Sequence, residues 1–298
     1  MAVSDRPVEV WRLPEEEWRA GRRAVTWTVG PDGELAVLLV PERYVAPAGS
    51  WPSVRTPYDA EVVVLDRSGE RRVPLSGVGC RPDHLALLPG GRLLLAGARA
   101  EQDGEEWLPN GFVYGPDGVP GRELLLGDCT PVLVTDRGGR IWMAYGDEGV
   151  YGDHPMSYRG LTAADTHGRV VWSPDHGKDL PGYPLEGMAG ATEGRYAWLA
   201  WYPSSSGSYL TRVDPADGTS TTVPCPVRQP AGFAVRAREG VFLTGGGELT
   251  WHLLVGKTWK RTGKRKLDVL GDLERHRAYG RDGVLWFRSG NGWFRVAA

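Results

Sequence analysis

The most distinctive local chemistry in this 298-residue sequence is Asp147-Glu-Gly-Val-Tyr-Gly152, with His154 two residues beyond. Two adjacent carboxylates follow the apolar, strand-like segment Ile141-Trp-Met-Ala-Tyr145, and glycines on either side let backbone approach closely. A carboxylate placed there could orient an amine or hydroxyl, act as an acid or base with His154, or hold a hard cation. The competing reading is a turn in which Asp147 caps backbone amides and Glu148 faces solvent.

Other segments offer complementary groups. Arg43 and Arg55 could clamp an anion, Tyr58, Trp107 and Tyr151 could wall a pocket, and Asn110 and Tyr183 add polar contacts. Calcium or another divalent cation could be held by carboxylates and an amide from separate loops, such as Glu148, Asn110 and Asp59, leaving no contiguous signature. No His-x-His, EF-hand loop or cysteine pair marks a metal centre, and no cofactor is otherwise implied. Ser204-Ser-Ser-Gly-Ser208 lacks the G-x-S-x-G pattern of a nucleophile elbow. The three cysteines, Cys80, Cys129 and Cys225, have no paired spacing and read as free thiols.

These groups need a scaffold, and the sequence repeats. Short turns ending in glycine precede apolar strands at Gly30-Pro-Asp-Gly33, Leu88-Pro-Gly-Gly91, Asp136-Arg-Gly-Gly139, Ala191-Thr-Glu-Gly194, Ala237-Arg-Glu-Gly240 and Gly280-Arg-Asp-Gly283. The mean spacing of the six terminal glycines is 50 residues. A second turn falls between them, ending at Gly69, Gly118, Gly168 and Gly218, with steps of 49, 50 and 50. Two tight turns per unit imply four short strands per unit. Units of that kind bury both faces only by packing side by side in a ring, so the expected fold is an all-β, six-bladed β-propeller in one domain spanning 1–298.

The last unit lacks one strand, and Val8-Glu-Val-Trp-Arg-Leu13 is the segment expected to supply it. Helix is expected only as a turn or so at Glu15 to Arg22 and at Leu270 to Arg277. With the glycine turns on one face, the long connections gather on the other: Pro41 to Asp59, Arg99 to Asn110, Gly146 to Arg159 and Asp175 to Glu186. The first three units carry the longest of these, so a pocket walled on one side is expected at the channel mouth.

A formal net charge of -2 gives no field that would draw the whole protein to nucleic acid or a membrane. The basic run Lys257, Lys260, Arg261, Lys264, Arg265 and Lys266 falls on an expected outer strand, where lysines discourage edge-to-edge pairing. No membrane span or signal segment is apparent, and a cytoplasmic monomer is expected.

The units, for example Asp136-Arg-Gly-Gly-Arg-Ile-Trp-Met-Ala-Tyr145, are similar to repeats of NHL and related propellers over nearly the whole chain. The stretch from Leu88 through Asn110-Gly-Phe-Val-Tyr-Gly-Pro-Asp-Gly118 to Asp147-Glu-Gly-Val-Tyr-Gly152 resembles a group of actinobacterial propeller proteins to which no activity is assigned. Gluconolactonase-type propellers share the six-bladed plan, and that resemblance implies metal-dependent ester or lactone hydrolysis. Their Gly-Glu-Gly-Pro motif, which carries the first metal ligand, is absent here. The leading expectation is a propeller binding a small molecule at its mouth, in specialised metabolism. Beside it stand a metal-dependent hydrolase, lactonase or acid/base enzyme built on Asp147, Glu148 and His154, and a protein-interaction scaffold.

Overall fold

The computed structural model describes residues 6–45, 57–175, 178, 180–203, 207–267 and 273–298, without side chains over 273–277. The chain is all-β. Four strands of the first repeat, Arg22–Val29, Leu35–Pro41, Tyr58–Asp66 and Gly69–Val78, pair in chain order as an antiparallel meander. The second repeat does the same with His84–Leu88, Arg92–Ala96, Gly111–Tyr114 and Pro120–Leu124, and the third with Val132–Thr135, Ile141–Ala144, Leu161–Ala164 and Val170–Trp172. So does the fifth, with Pro230–Arg236, Glu239–Thr244, Glu248–Val255 and Thr258–Lys266.

Eight further strands form one sheet made of two unlike halves, and Gln102–Asp103 and Glu106–Trp107 pair apart from it. One half is the fourth repeat, Glu186–Glu193, Tyr196–Tyr202, Tyr209–Val213 and Ser220–Pro224. The other is Leu273–Arg281, Val284–Ser289 and Gly292–Ala297, with Val8–Arg12 added antiparallel along the last of these. Among the described residues the halves join through two parallel pairings, Ala191 to Gly280 and Thr192 to Arg281.

Burial explains why the strand sequences differ. Second strands such as Leu35–Pro41 and Ile141–Ala144 are apolar and buried almost throughout, because a neighbouring sheet covers each face. Fourth strands such as Gly69–Val78 and Thr258–Lys266 meet solvent and turn mostly polar. The apolar clusters lie between consecutive sheets: Tyr58, Val62, Leu85 and Leu93 join the first and second, and Ala200, Phe233 and Phe242 join the fourth and fifth. Trp142 and Trp286 lie in one core cluster and Trp198 in another, as their repeated positions lead one to expect.

The turns follow the glycine pattern with one departure. In the fifth repeat the left-handed residue is Ala237, at φ 56°, while Gly240 lies inside the next strand beneath the Trp259 ring. The helix expected at Glu15 to Arg22 is shorter, Glu15–Arg19. The expected helical turn at Leu270 to Arg277 is instead strand from Leu273, since the residues pair with Val284–Ser289.

First strands of consecutive repeats are neighbours around the molecule, and Leu273–Arg281 also neighbours Arg22–Val29. They approach so closely that a Cβ at Gly280 would collide with the Phe233 carbonyl, and one at Gly232 with Ala278. The space left between four of them, lined by His84, Val132, Val134, Met188 and Tyr279, is a cavity of 20 Å³, room for about one water.

Below it lies Arg281, 3% exposed. Its guanidinium donates to the carbonyls of Val29 (2.8 Å) and Thr135 (2.6 Å) and to Thr192 Oγ1 (2.7 Å), tying three repeats together. Burial pulls its pKa down to about 10 against the opposing fields of Tyr279, Asp282, Asp136 and Glu34. Outside it, Arg137 bridges Asp32 (3.0 Å) and Asp282 (2.7 Å), so turns of different repeats are laced across this face. Among the described residues no helix is long and apolar enough to cross a membrane.

A tyrosine cleft beside an acidic row

The acidic pair is positioned by glycine. Tyr145 ends the strand Ile141–Ala144 fully buried, its hydroxyl donating to the Leu126 carbonyl at 3.0 Å. Gly146 then donates its N–H to the Cys129 carbonyl (2.7 Å), and a four-residue helix, Asp147–Val150, follows. A side chain at Gly146 would strike Cys129 Sγ, and one at Gly149 would strike the Asp128 carbonyl, so the helix lies flat on the 127–129 segment.

The carboxylates line up beside this contact. Asp147 Oδ1 accepts from the Glu148 N–H (2.8 Å), as in the turn reading, and Glu186 Oε2 accepts from the Asp147 N–H (3.3 Å). Glu148 is exposed and pairs with Arg99, whose Nε also reaches Asp128 Oδ1 at 2.9 Å. Half-buried Glu186 is pushed above the ordinary carboxylate value, first by desolvation and then by the fields of Asp147 and Glu148, while the Asp147 N–H opposes the shift. Burial likewise raises the Cys129 thiol.

His154 is not beside this row as an accessible base. It is 1% exposed, its Nδ1 accepts from the Met156 N–H (3.1 Å), and its ring packs on Trp107 at 4.8 Å. Nε2 has no partner, and burial holds the imidazole pKa below its ordinary value. Trp107 itself sits on a small hairpin, Gln102–Asp103 and Glu106–Trp107. Trp107, expected as a pocket wall, and His154, expected as an acid/base partner of Glu148, instead pack on one another.

The open feature is aromatic. Tyr151, Tyr158 and Tyr183, with Val150 and Leu185, line a cleft of 220 Å³. Tyr151 and Tyr158 are 74% and 60% exposed, whereas half-buried Tyr183 donates its hydroxyl to the Tyr158 carbonyl. Its phenol is pushed up to about 12, by burial first and then by Tyr158. Tyr158 and Tyr183 meet edge to face, with ring centroids 6.0 Å apart.

Other expected site residues lie elsewhere. Asn110 spends its amide on backbone, donating to Gly97 and Gly127 carbonyls and accepting from the Leu126 N–H. Tyr58 is 1% exposed and bonded to the Cys80 carbonyl, because it closes the core between the first two sheets. Arg43 stacks over Tyr44 at 4.9 Å on the first repeat, and Arg55 lies outside the described residues. Asp59 accepts from the Gly77 N–H, so Glu148, Asn110 and Asp59 each have separate partners. No group of three or more His, Cys, Asp or Glu side chains among the described residues is arranged to hold a metal. Arg99 and Asp128 were not singled out by sequence. Their signal is position alone: Arg99 lies just past the apolar strand Arg92–Ala96, and Asp128 in the connection that leads into Val132–Thr135.

No protein-family model matches the sequence, and no curated protein matches it. Solved structures do resemble the fold. A chain of the Mitotic Checkpoint Complex aligns over 100% of this chain and 93% of its own at 10% identity, with a TM-score of 0.54. A chain from the complex of KlAtg21 with the coiled-coil of AgAtg16 aligns over 90% and 78% at 7% identity, with a TM-score of 0.55. YjhT aligns over 93% of both chains at 11% identity, with a TM-score of 0.52. The chain has a propeller-like, all-β fold. At such identities the likeness carries architecture alone.

Proposed function

We propose that this chain is a six-bladed β-propeller, closed by Val8–Arg12 on Gly292–Ala297, that works as a ligand-binding module for organic cations. Six repeats with interleaved turns, core clusters between consecutive sheets, and first strands that neighbour one another all the way round support the architecture. The observation that carries the function is the cleft of Tyr151, Tyr158 and Tyr183, the first two on the same connection as Asp147 and Glu148. Electron-rich ring faces attract a desolvated cation, and each good contact contributes about 0.5–1 kcal/mol at an exposed site. At 220 Å³ the cleft is smaller than the ~300–1,000 Å³ of enclosed ligand pockets, so it suits a head group such as an alkylammonium.

Catalysis finds no support in this arrangement. Glu148 is engaged by Arg99, and His154 is sealed against Trp107 and Met156. The reading takes the protein to be a cytoplasmic monomer whose partner at this site is a small molecule, with no role there for membrane or nucleic acid.

Choline and its neutral isostere 3,3-dimethylbutanol test the proposal by calorimetric titration. Choline should bind several-fold more tightly, and Tyr151→Ala with Tyr158→Ala should weaken it by about tenfold, the sum of two such contacts. Equal affinity for both probes would remove the cation from the proposal. One observation favours a second reading: Tyr151 and Tyr158 are as exposed as anchors awaiting a protein partner. That reading predicts no preference for choline.

A further inference from the structure

Two of the three cleft tyrosines hang from one buried histidine. His154 Nδ1 accepts the Met156 N–H at 3.1 Å, and the His154 carbonyl accepts the Tyr158 N–H at 3.2 Å. The Tyr158 carbonyl in turn accepts the Tyr183 hydroxyl, so the edge-to-face pair is carried by the turn that His154 starts. Ser157 fixes one point of that turn, donating its hydroxyl to the Asp128 carbonyl (2.8 Å) and accepting from the Asp128 N–H (2.6 Å). Met156 and Tyr158, on either side of that fixed point, are the residues whose amides His154 holds.

A ring nitrogen that accepts from a backbone amide carries no proton, so the hydrogen of the neutral imidazole is on Nε2, which finds no acceptor among the described residues. A second proton has one place to go. On Nδ1 it sets one N–H against another, and at 1% exposure the lost bond is not replaced by solvent. Asp128 is the charged group whose field favours the proton, but Arg99 and the Ala100 N–H already draw on its carboxylate. From the hairpin the ring meets the Trp107 indole, whose acidic neighbours Asp103, Glu105 and Glu106 are exposed, as are Asp153 and Arg159 on its own segment. Burial outweighs Asp128 and the residue's own carbonyl, in keeping with a ring that stays neutral near pH 7.

We infer that His154 is a positioning residue for the tyrosine cleft and a proton-operated latch on it: the neutral ring holds Tyr158 and Tyr183 in place, and a second proton frees them and discharges the bound organic cation. The inference rests on the cation-binding reading above and adds its regulation. Linkage is reciprocal, so a cation that binds the neutral-ring form must also make that ring harder to protonate.

Choline, whose charge does not change with pH, is titrated into the full chain at pH 7.5 and 5.5. The background is Glu186→Gln, which removes the half-buried carboxylate whose pKa is raised. Affinity should fall at least about threefold on acidification, and saturating choline should lower the midpoint of the His154 Cε1–H resonance by at least about 0.5 pH unit, the logarithm of that factor. His154→Asn places an amide oxygen where Nδ1 was, with no proton to gain, and should bind choline equally at both pH values; the midpoint measurement needs no substitution at this position. Equal affinity at the two pH values before that substitution, a midpoint that choline leaves in place, or general unfolding at pH 5.5 would each overturn the latch. If choline binds at neither pH, the cation reading falls and the latch is judged without ligand. The Met156 amide and the Tyr158 and Tyr183 ring resonances should then follow the His154 midpoint, and rings that ignore it overturn the inference.

Discussion

The glycine-turn side and the loop side of the molecule treat arginine in opposite ways. On the face of the glycine turns, Arg281 is sealed in and Arg137 is strapped between aspartates of different repeats, so both cations act as struts. On the loop face, Arg99 is exposed and tethered to Glu148 and Asp128, while tyrosines stand in solvent nearby. One face is spent on holding the repeats together. The other keeps aromatic rings in solvent beside a tethered cation.

The sharpest way to break this contrast is Arg281→Met. It removes donors from the Val29 and Thr135 carbonyls and from Thr192 Oγ1 in a place water does not reach, and should cost about 3 kcal/mol of stability in urea unfolding. A stabilised variant would mean that the buried charge costs more than its bonds return, and the strut would be a liability.

Acid should separate the faces next. His154 has a folded pKa below its unfolded value near 6.5, so the folded state disfavours the proton there; its contribution is intact above that value and is lost as pH falls through the folded one. Between pH 7.5 and 5.5, amide exchange should quicken over 147–160 while 278–283 keeps its protection. Glu186 acts in the opposite sense, because its raised pKa favours the fold as it takes up a proton, and Glu186→Gln isolates the histidine effect. Uniform loss of protection would erase the distinction between faces.

The smallest effect belongs to the exposed cleft. Tyr151→Ala should change stability by less than about 0.5 kcal/mol, as surface substitutions do, and a larger loss in the urea midpoint would make the ring a structural prop.

What sequence revealed depends on the distance over which a residue acts. Turn glycines act locally, so Gly33, Gly139 and Gly283 announced four-stranded repeats and take positive φ as expected. Tyr151 and Tyr183 line one cleft, each on a long connection that the spacing of the turns marks out. Tyr58 and Asn110 misled: both types suit ligand contacts, yet here one fills a core and the other stitches three backbone segments, choices set by neighbours far along the chain. Arg281 read as a turn residue, since nothing in Gly280-Arg-Asp-Gly283 reveals that three other repeats point their acceptors at it.

The partnership of Val8 with Arg295, backed by Trp11 against Trp293 at 4.9 Å, sets a clock on biogenesis. At ribosomal rates of ~5–20 residues per second, Val8–Arg12 must wait roughly 15–60 s for a mate encoded far downstream. During that interval Trp11 lacks its Trp293 contact, and premature release or early degradation would act on a chain whose terminal pairing is unmade.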